Sequence, residues 1–161
     1  MQKVSVKLKK KIDYSYNIHI GSNILEDCLK DFFKQKNFSS IGVITDSNIF
    51  KIYVEKLKPY FPEKAKFFSF PAGEENKNIE TILKLSSSLQ KENFDRKSLL
   101  IALGGGVTGD ITGFLSSIYM RGIPFIQIPT SLLAMVDSSI GGKTGVDTEF
   151  GKNLLGTFSQ P

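Results

Sequence analysis

Three consecutive glycines, Gly104–Gly105–Gly106, followed by Gly109 and Asp110, form the densest cluster of chemistry-bearing positions in the chain. A continuous apolar run precedes them (Leu99, Leu100, Ile101, Ala102, Leu103), and a helical pattern through Ile111, Phe114, Leu115 and Ile118 follows. The run reads as a strand buried on both faces, as in a parallel sheet. The glycines remove side chains where backbone must turn sharply or approach a ligand. The helix behind them points its free amides and positive dipole end at whatever sits there, and phosphate is the usual occupant.

Gly104, Gly106 and Gly109 fit the G-x-G-x-x-G spacing of dinucleotide-binding turns. The acidic residue expected about 20 residues on, to hold a ribose, is missing, because the stretch Pro124–Pro129 carries no carboxylate. A tight strand-to-helix turn with no ligand competes with the nucleotide reading. Asp110 tips the balance, since a carboxylate at the glycine turn can receive ribose hydroxyls directly. The expectation is a nucleotide site of non-standard form.

Other polar groups carry less on their own. Asp46 and Asn48 stand where a strand ends, the place at which open α/β sheets bind ligands, but either can simply cap the next helix. Lys143 lies among Gly141, Gly142 and Gly145 in a stretch rich in glycine and small polar residues, the kind of loop whose amides and lysines converge on an anion. It is not a P-loop, because Asp137 occupies the position of the motif's first glycine. His19 is the single histidine and Cys28 the single cysteine. His19 falls on the solvent-facing parity of its segment and Cys28 on an apolar helical stripe, so neither is given a role.

The surrounding pattern says what must position these groups. Residues 3–20 alternate on both sides of a charged turn, with Val4, Val6 and Leu8, then Tyr14, Tyr16, Ile18 and Ile20, which predicts a β-hairpin. A helix is expected from Ser22, with Asn23 and Glu26 as a capping box and Ile24, Leu25, Cys28, Leu29, Phe32 and Phe33 as its apolar stripe. Strands at 41–45, 65–70, 97–103 and 123–128 alternate with helical patterns over 49–57 and 79–89. The segment from Ser131 to Asp147 is expected to begin as a short helix and continue as a loop. Alternating strands and helices predict an α/β, Rossmann-like, mostly parallel sheet flanked by helices, here with an N-terminal β-hairpin.

Composition narrows the class. With 161 residues, 40% hydrophobic and 23% charged, the chain is expected to be one globular domain over 1–161. The net charge of +5 is spread along the chain, whereas a nucleic-acid binder concentrates basic residues in a stripe. We read the surplus as solvation plus attraction for an anionic small molecule. One cysteine excludes an internal disulfide framework, and no apolar run is long enough for a bilayer. Met1 is followed by no signal-type segment, so the expected compartment is the cytoplasm.

The motifs TDSN at Thr45, PAGEENK at Pro71, GGGVTGD at Gly104, YMRGIPFIQIPTSLLAMVDSSIGGKTGVD at Tyr119 and GKNLLGTFSQP at Gly151 resemble, taken together, the N-terminal part of the 3-dehydroquinate synthase family, within the sugar-phosphate cyclases. The resemblance covers essentially the whole chain. It implies an NAD-dependent lyase of the shikimate pathway that also uses a divalent metal, zinc or cobalt. The implied reaction converts 3-deoxy-D-arabino-heptulosonate 7-phosphate to 3-dehydroquinate and phosphate. A ring hydroxyl is transiently oxidised, phosphate is eliminated, the carbonyl is reduced back, and the ring opens and recloses by an internal aldol step. Oxidation acidifies the neighbouring C–H, which is why phosphate can leave.

By motif position the resemblance implies that Asp46, Asn48, Glu74 and Lys77 contact the adenosine side of NAD. Gly105, Gly106, Val107, Gly109 and Asp110 would cradle its pyrophosphate and ribose, and Thr130, Ser131 and Leu133 would line it. Asp137, Lys143, Lys152 and Asn153 would lie between nicotinamide and substrate, with Lys143 and Lys152 also touching the cofactor. Arg121 would reach the substrate phosphate of a neighbouring subunit, making a homodimer. Ser131 stands where the family has a second threonine, and Met135 where it has a glutamine. The family's metal ligands, one glutamate and two histidines, belong to a helical C-terminal domain expected to follow Pro161. No metal site is therefore expected in this chain, and GTFSQP reads as mid-sequence. A related cyclase with another substrate and a non-catalytic NAD-binding module remain as alternatives.

Overall fold

The computed structural model describes residues 13–161. Four parallel strands form its centre: β1 (Ile41–Asp46), β2 (Ala65–Phe70), β3 (Leu99–Gly104) and β4 (Phe125–Pro129), in the order β2-β1-β3-β4. The two middle strands are apolar along their length because both faces are covered. Ile41, Val43 and Ile44 of β1 and Leu99–Leu103 of β3 are all buried.

Two apolar layers follow from that. Helices α2 (Ile79–Lys91) and α3 (Gly106–Ile118) cover one face, where Ile82, Leu85 and Leu89 meet Ile44, Leu100, Ile111 and Leu115. Helix α1 (Leu25–Gln35) and the segment 47–60 cover the other, where Leu29 and Phe61 join Ile41, Val43, Ile101 and Leu103. A second sheet is a single antiparallel hairpin, β5 (Lys143–Thr148) and β6 (Gly151–Phe158), laid against α3.

The strand order reverses between β1 and β3. The chain leaves β1 toward β2, then crosses back over β1 to enter β3 beside it. Such a switch point opens a crevice at the carboxyl ends of the two strands, and here Asp46 and Gly104 stand at its two sides.

Several expectations need correction. Residues 13–20 form no strand, so the second arm of the expected N-terminal hairpin is absent, and its first arm lies outside the described residues. Their apolar groups find no partner sheet, and Tyr14, Ile18 and Ile20 are exposed. The Asn23–Glu26 capping box does not form. Asn23 is left-handed (φ 56°), Ile24 takes the cap position without a side-chain hydrogen bond, and Glu26 pairs along the helix with Lys30 at 2.5 Å. The helix expected over 49–57 is irregular, with a π turn at Phe50–Val54 that rotates the apolar stripe so that only Val54 is buried within it.

The stretch from Ser131 does begin as a short helix, with a π turn at Ala134–Ser138, but the expected glycine-rich loop is confined to 139–142 and gives way to strand β5. Gly145 faces Gly156 across the hairpin. A Cβ on Gly145 would stand 2.7 Å from the Leu155 carbonyl oxygen, and one on Gly156 2.5 Å from that of Thr144. These glycines are there for close strand approach, not for loop flexibility.

Gly113 does the corresponding work between α3 and the hairpin, since a Cβ there would meet Thr144 Cγ2 at 2.3 Å and Phe125 Cζ at 3.2 Å. Overpacking of that kind costs about 1–3 kcal/mol, against a helix-propensity gain of up to about 1 kcal/mol. Gly113→Ala should therefore lower stability in urea denaturation, while an alanine that stabilises would show that the hairpin rides free of α3.

Candidate functional site

The site is built where β3 ends and α3 begins. Gly105 is the N-cap of α3 and offers no side-chain hydrogen bond to the helix amides. Nothing fills the space beside it: a Cβ on Gly105 would meet only Ser131 Oγ, at 3.6 Å. Next to Gly106 lies Ser138, whose Oγ is buried without a hydrogen-bond partner and would stand 3.2 Å from a Cβ placed on Gly106. An uncapped helix N-terminus beside an orphaned hydroxyl suits an anionic group such as a phosphate.

One turn into α3, Asp110 makes the central contact. Its Oδ2 lies 2.5 Å from Lys77 Nζ, with side chains 19% and 5% exposed respectively. Lys77 Nζ also donates to Asn153 Oδ1 at 2.6 Å. Its carbonyl accepts from the amide of Asp147 at 2.7 Å, and Asp147 Oδ1 accepts from the amide of Asn153 at 2.8 Å. Asn153 takes a left-handed conformation (φ 56°) to do this, which asparagine tolerates better than most residues. Three distant parts of the chain thus meet on one ammonium group.

An open hollow of about 330 Å³ lies alongside, lined by Asp110, Lys143, Thr144, Asn153 and the β6 residues Leu154, Gly156, Thr157 and Phe158. Burial raises the proton affinity of Asp110 above its ordinary value, helped by the carboxylates of Glu74 and Asp147, while Lys77 pulls the other way.

The remaining expected residues take varied places. Asp46 caps the first turn after β1, its Oδ1 accepting from the amides of Asn48 at 2.9 Å and Ile49 at 3.0 Å; the dull capping role is real. Its Oδ2 receives Thr108 Oγ1 across the crevice at 3.4 Å. Asn48 is exposed, Val107 half-buried and Gly109 buried. Glu74 begins a 3₁₀ turn and accepts from Lys152 Nζ at 3.1 Å, a contact that raises the lysine's affinity for its proton. The amide of Thr130 donates to the Gly104 carbonyl at 2.9 Å, and Ser131 Oγ accepts from the amide of Ala134 at 3.3 Å. Leu133, 70% exposed, and Asp137, also exposed, lie outside the hollow.

Arg121 is remote. It sits past the far end of α3, roughly 20 Å from the glycine turn by helix rise. It is exposed and left-handed (φ 69°) between Met120 (φ 51°) and Gly122 (φ 111°). Two consecutive non-glycine residues in that region store strain, a feature that gathers at functional positions. The reading of the sequence missed Thr108, Ser138 and Asp147. Only Asp147 had a signal, as a carboxylate in the small-residue stretch. Among the described residues no group of three His, Cys, Asp or Glu side chains could hold a metal ion. No helix among them is long and apolar enough to cross a membrane.

A four-stranded parallel sheet with a switch-point crevice and a glycine turn at the head of the following helix defines a Rossmann-like α/β domain. Comparison with known proteins takes this further. The family model for the N-terminal part of 3-dehydroquinate synthase matches residues 67–161. The 3-dehydroquinate synthase of Dictyoglomus turgidum is 47% identical over 161 residues, covering 100% of this chain and 43% of that relative. Among solved structures, 2-deoxy-scyllo-inosose synthase complexed with carbaglucose-6-phosphate, NAD+ and Co2+ superposes with a TM-score of 0.81 at 30% identity, over 88% of this chain and 39% of that one. The 2-epi-5-epi-valiolone synthase of Streptomyces hygroscopicus, with NAD+ and Zn2+ bound, gives a TM-score of 0.81 and 30% identity over 97% and 43%. The chain belongs to the 3-dehydroquinate synthase family. It spans less than half the length of these relatives.

The Asp110–Lys77 pair generates a stability prediction. Since burial outweighs the pull of Lys77 on Asp110, the charged pair adds little net stability. Asp110→Asn should leave the urea midpoint at neutral pH unchanged or raised. Lys77→Met should cost toward the low end of about 3–5 kcal/mol, because it leaves a buried carboxylate without its cation. A folded pKa raised above the unfolded one contributes stability below the unfolded value, lost as pH rises through the folded value. Wild type should therefore gain on Asp110→Asn as pH falls toward the ordinary carboxylate range. A wild type that instead loses on the variant there would show the pair to be net stabilising.

Proposed function

We propose that this chain is the cofactor-holding unit of a 3-dehydroquinate synthase, binding NAD+ at the crevice between β1 and β3. The observation that carries the reading is Asp110: it stands one turn behind an open, uncapped helix N-terminus and lines the same hollow as Lys143 and Asn153. The glycine turn and the orphaned Ser138 hydroxyl fit the pyrophosphate, and Asp110 the ribose hydroxyls. Identity of 47% to an enzyme of this name, against 30% to two other cyclases, favours the dehydroquinate-forming reaction over theirs.

When bound, NAD+ supplies a reversible acceptor for the oxidation of a ring hydroxyl. The chain's own residues bind and orient. Lys143, at the mouth of the hollow, offsets the charge of a substrate bearing a carboxylate and a phosphate, and Asn153 presents an amide held in place from Lys77. Lys152 is within reach of the same region but pairs with Glu74, so substrate must compete for it. Arg121, at the opposite end of α3, serves the substrate phosphate of a neighbouring subunit, which makes the working assembly a homodimer of the cytoplasm. Zinc or cobalt belongs to the helical domain that the relatives' greater length accommodates, and the described residues do not fit a metal. No step is assigned to one.

Calorimetric titration with NAD+ should show binding weaker than micromolar, because the second domain is expected to close over the cofactor. Asp110→Ala should weaken it about tenfold or more, as loss of a charged hydrogen bond does, whereas Lys51→Ala should not. Equal effects would reduce the glycine turn to a turn. The chain alone should release no phosphate from 3-deoxy-D-arabino-heptulosonate 7-phosphate even with added Zn2+ or Co2+; measurable release would place catalysis within these residues.

A further inference from the structure

Lys77 is the most buried charged side chain at the site, 5% exposed, and two of the three donors of its ammonium are engaged. It is held between Asp110 Oδ2 at 2.5 Å and Asn153 Oδ1 at 2.6 Å. At that burial it offers a ligand little surface of its own. Its effect passes through its partners. Among the described residues no group donates to the other carboxylate oxygen, Asp110 Oδ1, and Asp110 borders the hollow.

We infer that Lys77 is a positioning residue for the cofactor: its ammonium holds Asp110 ionised and fixes one carboxylate oxygen inward, leaving the other to accept a ribose hydroxyl. The inference rests on the NAD+ reading above and deepens it. A neutral, protonated Asp110 keeps acceptor capacity but loses the charge that makes such hydrogen bonds strong. The charged groups facing Asp110 are Lys77 and Glu74 from the turn before α2, Asp147 from β5 and, along the hollow, Lys143. Two of these four are carboxylates that favour its protonation. Among the described residues Lys77 is the one cation in direct contact. Removing it leaves burial and two negative neighbours to draw a proton onto Asp110.

The pair also accounts for Asn153. By taking the second face of the ammonium, its amide oxygen ties β6 to the carboxylate that the cofactor is to meet. Cofactor contact and hairpin placement thus share one lysine.

The test uses wild type, Lys77→Gln and Lys77→Arg, with two readouts. The first is the Asp110 carboxyl-carbon titration by NMR without ligand. The second is NAD+ affinity by calorimetry from about pH 5.5 to 8. In Lys77→Gln the Asp110 titration should rise by about 1–3 pH units. NAD+ affinity should then fall as pH drops through that raised titration, about tenfold per unit below it, while wild type falls only below its own, lower titration and Lys77→Arg follows wild type. A loss in Lys77→Gln that is the same at every pH would make Lys77 a structural support only, and would overturn the inference. So would a wild-type Asp110 that titrates between about pH 6 and 8, a readout that decides the matter even where Lys77→Gln fails to fold. A wild type that binds no NAD+ would remove the cofactor reading and this inference together. Wild-type binding with a flat Lys77→Gln profile would remove the inference alone.

Discussion

One ammonium group, that of Lys77, joins the turn before α2, the first turns of α3 and the tip of β6. Burial of a charge is tolerated only where its hydrogen-bonding capacity is used, so the positions of Asp110 and Asn153 are coupled: neither can move without stranding the lysine. The parallel sheet supplies rigidity, but it does not by itself say where the hairpin sits. The lysine does. Its carbonyl, accepting from the Asp147 amide, repeats the connection through the backbone.

The sheet's contribution is topological. Reversal of strand order between β1 and β3 opens a crevice at the carboxyl ends of the two strands. Asp46 and Thr108 reach across it at 3.4 Å, a long contact that marks its width more than it closes it. The glycines at the end of β3 keep the crevice open, and Asp110 stands beside it. Polar function is thus confined to one end of a sheet whose middle strands are wholly apolar.

Much of this was legible in the sequence where the signal is local. The apolar run Leu99–Leu103 and its glycine terminus fix β3 and the start of α3, and Asp46 behaves as the cap its position implies. What failed was non-local or ambiguous. Tyr14, Tyr16, Ile18 and Ile20 alternate as a strand does, but alternation states only that one face could be buried; Tyr14, Ile18 and Ile20 are exposed and only Tyr16 is half-buried. Glycine in Gly141–Gly145 reads as loop because flexibility is its commoner use, while the facing pair Gly145 and Gly156 serves strand proximity that only the fold reveals. Lys77 and Asp110 were both marked, yet their pairing, with Asn153 another 76 positions from Lys77, leaves no periodicity to read.

The antiparallel hairpin has no core of its own. Phe150 and Phe158 are 85% and 84% exposed, and only its inner face, through Val146 and Thr144, is buried against α3. Among the described residues, the contacts that secure it reach back across long sequence separation, to Lys77, Glu74, α2 and α3. Long loops must close before such contacts form. The hairpin therefore completes folding late and opens at lower free energy than the parallel sheet. One wall of the site can come away while the fold beneath it stays intact.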